Sequence, residues 1–302
     1  MKRKDIIAIV YTVGSWLAVG ALLFFWIAPA HAQTRAQEFT YGQGRTASGS
    51  IPLKLDFYPA AGGCSSGPKP VVMFIHGGGF SGGDKGGRVS QRLARSFGEQ
   101  GWHTISINYR LMGDQPVVGR QLRGFVPSDA PNPRQANAAV AAIEDTVAAL
   151  EFTHANASQA CIDPSRIALM GSSAGAYTAL QVGYALDEFG IDRPEIAAVV
   201  NYWGALVVDN AMDRNDVPMF MLHGTRDRTV DFAEAQAIAQ SARATGTPLE
   251  FHAVQGGGHG HGSISSWEHR AQGELIIDHL TDFLGEVFAG RRPESKVVNS
   301  RS

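Results

Sequence analysis

The stretch RIALMGSSAGAYTAL, residues 166–180, constrains the fold more than any other. An apolar run precedes its glycines and an alanine-rich run follows them, which predicts a buried strand, a tight turn and a helix. The turn has the form G-x-S-x-G, in which the small residues let the strand and helix backbones pass closely. We therefore expect Ser173 to project its hydroxyl as a nucleophile and Ser172 to point elsewhere. A glycine-rich turn that merely connects strand and helix is the alternative.

Similar strand and helix patterns alternate along the chain. Apolar runs without polar alternation are typical of strands covered on both faces, as in a parallel sheet. Their alternation with helices predicts an α/β fold, a doubly wound, mostly parallel sheet with helices on both faces. The predicted strands are 51–59, 71–79, 103–110, 166–175, 197–204, 219–227 and 249–258, and the predicted helices are 89–101, 136–157, 176–190, 232–246 and 273–288.

The N-terminal segment predicts export. A basic MKRK start, an uncharged apolar run and the sequence Ala30-His31-Ala32 form a signal peptide with a cleavage site. We expect residues 1–32 to be removed, which leaves a domain at 33–290 and a frayed polar tail at 291–302. The mature protein is then expected in the periplasm or outside the cell. The apolar run is long enough to span a bilayer, so an uncleaved membrane anchor is the alternative.

A glycine-rich loop, HGGG at residues 76–79, follows another predicted strand. Glycine N–H groups can face a carbonyl oxygen with no Cβ in the way, so we predict an oxyanion hole from Gly77, Gly78 and the N–H of Ala174. A phosphate-binding loop is the alternative, but no G-K-[ST] or G-x-G-x-x-G pattern accompanies it. We expect His76 to form hydrogen bonds within the loop rather than to act as a base.

Two later loops provide a carboxylate and an imidazole in the order Ser, Asp, His. Asp227 follows a predicted strand, with Asp231 as a rival that we expect to cap the next helix. His259 lies in GGGHGHG, residues 256–262, after the following strand. A metal site made by His259 and His261 is the alternative, but two histidines at i, i+2 without a nearby carboxylate make a poor site. We therefore predict no metal and no cofactor.

These motifs together resemble the α/β-hydrolase-fold serine esterases, and most of all the bacterial HGGG-type carboxylesterases. The resemblance implies a carboxylic-ester hydrolase with a small ester substrate, in which Ser173 attacks, His259 transfers the proton and Asp227 orients the imidazole. A serine peptidase or acylpeptide hydrolase on the same fold and a non-catalytic binding relative are the alternatives. The resemblance rests on HGGGF (76–80), INYRL (107–111), IDPSRIALMGSSAGA (162–176), HGTRDRTV (223–230) and GGGHG (256–260).

The sequence departs from this family at two places. Ser172 stands where relatives of hormone-sensitive lipase usually have Asp, and His261 stands where relatives often have Phe. We predict that His261, with Phe80, Tyr202 and Trp203, lines the substrate pocket; ordinary core packing is the alternative for each aromatic residue. No segment is long enough for a large cap, so only a short lid at residues 111–135 is expected.

Cys64 and Cys161 are the only cysteines. Two cysteines in an exported chain suggest one disulfide, and two unpaired buried thiols are the alternative. The resemblance implies that the strands following the two cysteines are parallel neighbours, which would bring the sulfurs together at the end of the sheet opposite the site. The net charge of −2 gives no basic surface for nucleic acid. The sequence does not indicate an oligomeric state, and it implies membrane contact only if the leader is uncleaved.

Overall fold

A large twisted sheet organises the chain, which the computed structural model describes for residues 35–125, 131–208, 211–260 and 265–301. The strands are β1 (Gln37–Thr46), β2 (Gly49–Tyr58), β3 (Lys69–Ile75), β4 (His103–Ile107), β5 (Ile162–Ser172), β6 (Ala198–Tyr202), β7 (Met219–Gly224), β8 (Leu249–Gln255), β9 (Arg270–Ala271), β10 (Glu274–Leu275) and β11 (Lys296–Arg301). Nine of them form one sheet in the order β1-β2-β4-β3-β5-β6-β7-β8-β11, and β9 and β10 form a short ribbon. The first three in this order run antiparallel and all later neighbours are parallel.

Helices cover both faces of the sheet. They are α1 (Arg88–Glu99), α2 (Pro133–Ala155), α3 (Ala157–Ala160), α4 (Ala174–Tyr184), α5 (Phe232–Thr245) and α6 (Ile276–Phe288). Apolar residues of α2, α4 and α5 pack on one face and those of α1 and α6 on the other. In β3, Val71 and Met73 face the first layer while Val72 and Phe74 face the second, which is why this strand reads as one unbroken apolar run. The predicted doubly wound architecture is confirmed.

The polar tail contains a strand that the sequence analysis does not predict. Residues Lys296–Arg301 pair in parallel register with Glu250–Gln255 of β8. Only Val298 and Ser300 of this strand are buried, so its apolar signal is too short to recognise. The expectation that the tail is frayed is therefore wrong, because residues 296–301 form an edge of the sheet.

The predicted leader, residues 1–32, lies outside the described residues, and the domain boundaries remain predictions. None of the helices described between residues 35 and 301 is long and apolar enough to cross a membrane. Part of the predicted lid is described: it contains two 3-10 turns, Met112–Asp114 and Gln121–Phe125. Residues 126–130 of that segment lie outside the description.

A disulfide joins Cys64 to Cys161, with their Cα atoms 5.5 Å apart. It links the turn before β3 to the residue before β5, at the amino ends of two strands that pair in parallel. The backbone N–H of Lys69 donates to the carbonyl oxygen of Cys161 at 2.7 Å, which fixes the same junction. The structure thus contains the disulfide that the family resemblance implies, at the end of the sheet opposite Ser173.

Candidate active site

Ser173 lies on the sharp turn between β5 and α4. Its φ of 54° and ψ of −120° fall in a region that L residues rarely adopt. A Cβ on Gly171 would collide with the backbone of Gly175, and a Cβ on Gly175 would collide with the carbonyl of Ile75. The two glycines therefore let β5, the turn and β3 approach each other. The N–H of Ser173 donates to the carbonyl oxygen of Tyr202 at 2.9 Å and holds the strained turn in place.

The three residues predicted in the order Ser, Asp, His come together at the carboxyl ends of β5, β7 and β8. The Oγ atom of Ser173 lies 2.9 Å from Nε2 of His259. Nδ1 of His259 lies 2.7 Å from Oδ2 of Asp227. Because an ionised carboxylate only accepts, Nδ1 carries the imidazole proton, and Nε2 presents its lone pair to the serine hydroxyl. The geometry suits proton transfer from Ser173 to His259.

The carboxylate of Asp227 is fixed from its other side. Its Oδ1 atom accepts the backbone N–H groups of Thr229 at 2.8 Å and Val230 at 3.0 Å, and its side chain is 0% exposed. The rival Asp231 instead accepts the N–H of Ala233 at 2.9 Å as the N-cap of α5, as expected. Asp231 therefore does not compete for His259 in this structure.

His223 is a residue near the site that the sequence analysis misses. Its Nε2 atom lies 3.0 Å from the carbonyl oxygen of Val230 and 3.4 Å from Oδ2 of Asp227. A carbonyl only accepts, so Nε2 carries the proton and its N–H faces both oxygens. Burial lowers the pKa of His223 and favours the neutral imidazole. A histidine four residues before the carboxylate, in HGTRD, is the only sequence signal for this contact.

The HGGG loop lies directly against the serine turn. A Cβ on Gly77 would stand 2.8 Å from the carbonyl oxygen of Ser172 and 3.3 Å from Cβ of Ser173. Within the described part of the chain, the N–H groups of Gly77 and Gly78 donate to no backbone acceptor. Ala174 is the first residue of α4, so its N–H has no acceptor inside the helix. The N–H groups of Gly77, Gly78 and Ala174 therefore lie near Ser173, where an oxyanion hole would be needed.

His76 braces this loop, in line with its expected role. Its ring stacks on Tyr109 with ring centroids 4.4 Å apart. The hydroxyl of Tyr109 donates to the carbonyl oxygen of His76 at 2.8 Å, and Nδ1 of His76 lies 2.8 Å from the carbonyl oxygen of Gly77. The pKa of His76 is lowered by burial. The contact of Nδ1 within the loop and the lowered pKa both favour a role for His76 in holding the loop rather than in proton transfer.

The predicted pocket residues occupy different environments. Trp203 lies edge-on to His259 with ring centroids 6.2 Å apart, and Phe80 lies edge-on to Tyr177 at 5.6 Å. Phe80 and Trp203 have positive φ angles of 60° and 48°, a region that L residues rarely adopt. Tyr202 is buried in the core and its hydroxyl accepts a hydrogen bond from Ser266. Its position favours core packing, the alternative already named.

The last of these pocket residues, His261, lies outside the described residues. Its predicted place in the pocket therefore stays a prediction. The described part of the GGGHGHG loop ends at Gly260, where a Cβ would lie 2.6 Å from the indole of Trp203. The loop thus passes close to Trp203 just before residue 261.

Comparisons with known proteins agree with this architecture. The BD-FAE family model matches residues 55–120 and 132–209, and the model of the prolyl oligopeptidase family matches residues 196–291. No curated protein matches the chain significantly. Solved structures of esterase 2 from Thermogutta terrifontis are similar. The form phosphorylated by paraoxon has 19% identity and a TM-score of 0.64, with 84% of this chain and 95% of that chain covered. The propionate-bound form has 19% identity and a TM-score of 0.63, with 86% and 96% covered.

The fold is that of the α/β hydrolases. Two family models of this fold each match part of the chain, and the solved esterases share its architecture, so the resemblance drawn from its motifs is confirmed. At 18–19% identity, the solved esterases show a shared fold.

Proposed function

We propose that the protein is an exported serine carboxylesterase that uses Ser173, His259 and Asp227 as a catalytic triad. The observation that supports this most strongly is the continuous chain of contacts from the Ser173 hydroxyl through His259 to the buried Asp227 carboxylate. A serine hydroxyl is a weak nucleophile unless a base removes its proton, and the base needs a partner that fixes its tautomer. Ser173 has such a base in His259, and His259 has such a partner in Asp227.

In the proposed reaction, Ser173 Oγ attacks the ester carbonyl while His259 Nε2 takes its proton. The negative charge on the tetrahedral oxygen is stabilised by the N–H groups of Gly77, Gly78 and Ala174, each donor contributing on the order of 10²- to 10³-fold in rate. His259 then protonates the leaving alcohol. Water repeats the sequence on the acyl-enzyme and releases the carboxylic acid. Asp227 stabilises the imidazolium that forms in each half-reaction.

The substrate proposed is a small or short-chain ester. The buried Trp203 lies beside His259, and the buried Phe80 lies after the HGGG loop against Tyr177; both favour an apolar acyl group of limited size. The Thermogutta esterase is known with propionate and with butyrate bound, which fits short acyl groups on this fold. Export is supported by the N-terminal leader and by the disulfide, which is a bond typical of oxidising compartments.

A p-nitrophenyl ester series of increasing acyl length, measured on the wild type and two serine variants, tests the proposal. Ser173→Ala should lower kcat by at least about 10⁴-fold. Ser172→Ala is the matched control: it makes the same chemical change one residue away, at a buried side chain, and should retain turnover. Full activity in Ser173→Ala would show that the triad assignment is wrong.

A serine peptidase is the second candidate, because the prolyl oligopeptidase family model matches residues 196–291, which carry Asp227 and His259. Peptide p-nitroanilides and acylpeptides assayed beside the esters distinguish the two. Under the proposal, the protein hydrolyses the esters and leaves the amides of the same acyl group essentially uncleaved. Sustained turnover of the amides would favour the peptidase.

A further inference from the structure

A cluster of histidine and carboxylate side chains lies near the amino end of β8, away from Ser173. Glu250 and His252 are two residues apart on this strand and so face the same side, toward His279 on α6. All three are buried, and one nitrogen or oxygen atom of each lies within 4.8 Å of the others. The proposed esterase reaction uses none of them.

The hydrogen bonds of His279 determine which nitrogen is free. Nε2 lies 2.8 Å from the carbonyl oxygen of Ala271, and since a carbonyl only accepts, Nε2 of the neutral ring carries the proton. Nδ1 then presents a lone pair to the cluster. A histidine that donates one nitrogen to a backbone carbonyl and points the other at carboxylates has the arrangement found in metal-ligating histidines.

The carboxylates around Nδ1 of His279 favour the binding of a cation. Carboxylate oxygens of Glu250 and Glu274 each lie 3.9 Å from Nδ1 of His279, beyond hydrogen-bond distance. A lone pair facing two carboxylates is repulsive unless positive charge lies between them. Among the described residues, Lys296 forms an ion pair with the other oxygen of Glu250, at 3.0 Å, and the side chain of Glu274 is 61% exposed. Nδ1 therefore faces one carboxylate that is already paired and one that contacts solvent.

We propose that Glu250, His252, His279 and Glu274 bind a divalent transition-metal ion of the zinc class. Two imidazole nitrogens and two carboxylate oxygens are a donor set that Zn²⁺ accepts in tetrahedral geometry, whereas Mg²⁺ and Ca²⁺ prefer oxygen alone. Zinc bonds of about 2.0–2.2 Å place tetrahedral donors about 3.3 Å apart. The present separations are 2.7 Å for His252 to Glu250 and 3.9 Å for His279 to each carboxylate, and the ligand atoms of Glu250, His252 and His279 lie within 4.8 Å of one another. Closing around the ion therefore requires side-chain shifts of up to about 1.5 Å.

Binding changes the tautomer of His252 without loss of a proton. Before metal binding, Nε2 of His252 donates to Glu250 at 2.7 Å, and Nδ1 of His252 has no hydrogen-bond partner among the described residues. When Nε2 ligates the metal, the ring proton resides on Nδ1. Glu274 is 61% exposed at its side chain, which gives the ion a path from solvent.

The proposed ion would tie α6 and the β9–β10 ribbon to β8, the strand that also carries β11. Its role is structural, because no hydrogen bond or ion pair among the described residues joins the cluster to the triad. Bound metal should therefore raise the thermal midpoint: with free zinc about 100-fold above Kd, the shift is on the order of 5 °C.

The test is zinc binding to purified protein stripped with chelator and passed through gel filtration. Metal analysis after one equivalent of Zn²⁺, with competition titration for Kd, gives the stoichiometry and affinity. We expect the wild type to bind one zinc tightly. The Kd for zinc should rise at least about tenfold in His279→Gln and in Glu274→Gln, which changes the exposed ligand of the same site. Glu274→Gln keeps the test valid if His279→Gln fails to fold.

Two control variants remove histidines elsewhere. His154→Gln changes a histidine near the end of α2 that contacts only the carbonyl of Glu195, and His259→Gln removes the triad imidazole. Both should bind one zinc with wild-type affinity. The proposal is overturned if the wild type retains no zinc, if Glu274→Gln and His279→Gln bind as the wild type does, or if His259→Gln alone loses the metal.

Discussion

Replacing Asp227 with asparagine tests the triad without changing its shape. In the wild type, Oδ1 accepts two backbone N–H groups while Oδ2 accepts from Nδ1 of His259. An asparagine amide keeps one oxygen, and the two backbone donors require that oxygen at the Oδ1 position. The amide NH₂ group must then face His259, since the flipped orientation would set it against the N–H groups of Thr229 and Val230.

An amide donor facing Nδ1 reverses the tautomer of His259. Nδ1 must accept, so the ring proton moves to Nε2 and the imidazole can no longer take the proton of Ser173. A wrong-tautomer imidazole lowers kcat by about 10⁴-fold, which is about 5.4 kcal/mol of transition-state stabilisation. Folding should persist, because both backbone hydrogen bonds survive. The charge-assisted bond to His259, about 1.5–3 kcal/mol, is lost together with the longer contact from His223.

The assay is steady-state hydrolysis of p-nitrophenyl acetate, with circular dichroism to verify folding. Asp231→Asn is the matched control: it makes the same substitution four residues later at the N-cap of α5, where asparagine caps as well as aspartate. We expect wild-type kcat from this control. The reasoning is refuted if folded Asp227→Asn keeps more than about a tenth of kcat, or if Asp231→Asn suffers the larger loss.

Three further outcomes are expected. Joint replacement of Cys64 and Cys161 by alanine opens a loop of 97 residues and should lower the free energy of unfolding in urea by up to about 5 kcal/mol. An unchanged free energy of unfolding would contradict the disulfide. Tyr202→Phe loses the hydrogen bond from Ser266 and should lower stability by about 1 kcal/mol without changing kcat/KM. A large change in KM would instead support the predicted role of Tyr202 in the substrate pocket. Burial raises the pKa of Asp216 to about 6, so between about pH 4 and 6 the folded chain holds this proton more tightly than the unfolded chain and stability falls as pH rises. Asp216→Asn should therefore stabilise at pH 7, by up to about 2 kcal/mol, and not at pH 4; equal effects at both would contradict this.

Sequence patterns predict the structure correctly where the geometry of a segment depends on its own residues. The glycines around Ser173 and the run of apolar residues in β3 specify a tight turn and a doubly covered strand by sterics and burial alone. The order Ser, Asp, His then locates Asp227 and His259, because parallel strands bring their carboxyl ends to one edge.

Contacts between distant segments were not predictable in this way. β11 is stabilised by pairing with β8, and Val298 alone gives too weak an apolar signal. Tyr202 and Trp203 are adjacent in sequence and pack in the same core layer, yet Trp203 also contacts His259, since its backbone adopts a positive φ. His223 follows the same rule: its contact with Asp227 depends on how the loop after β7 folds back.

Covalent labelling of the nucleophile tests the central claim most directly. Paraoxon transfers a diethylphosphoryl group to an activated serine, and the similar Thermogutta esterase is known in that phosphorylated form. Mass spectrometry of the labelled protein, with fragment sequencing to separate Ser172 from Ser173, should find one adduct, located on Ser173, formed as ester hydrolysis is lost. An adduct on another residue, or full hydrolysis without an adduct, would contradict the assignment of Ser173 as the nucleophile.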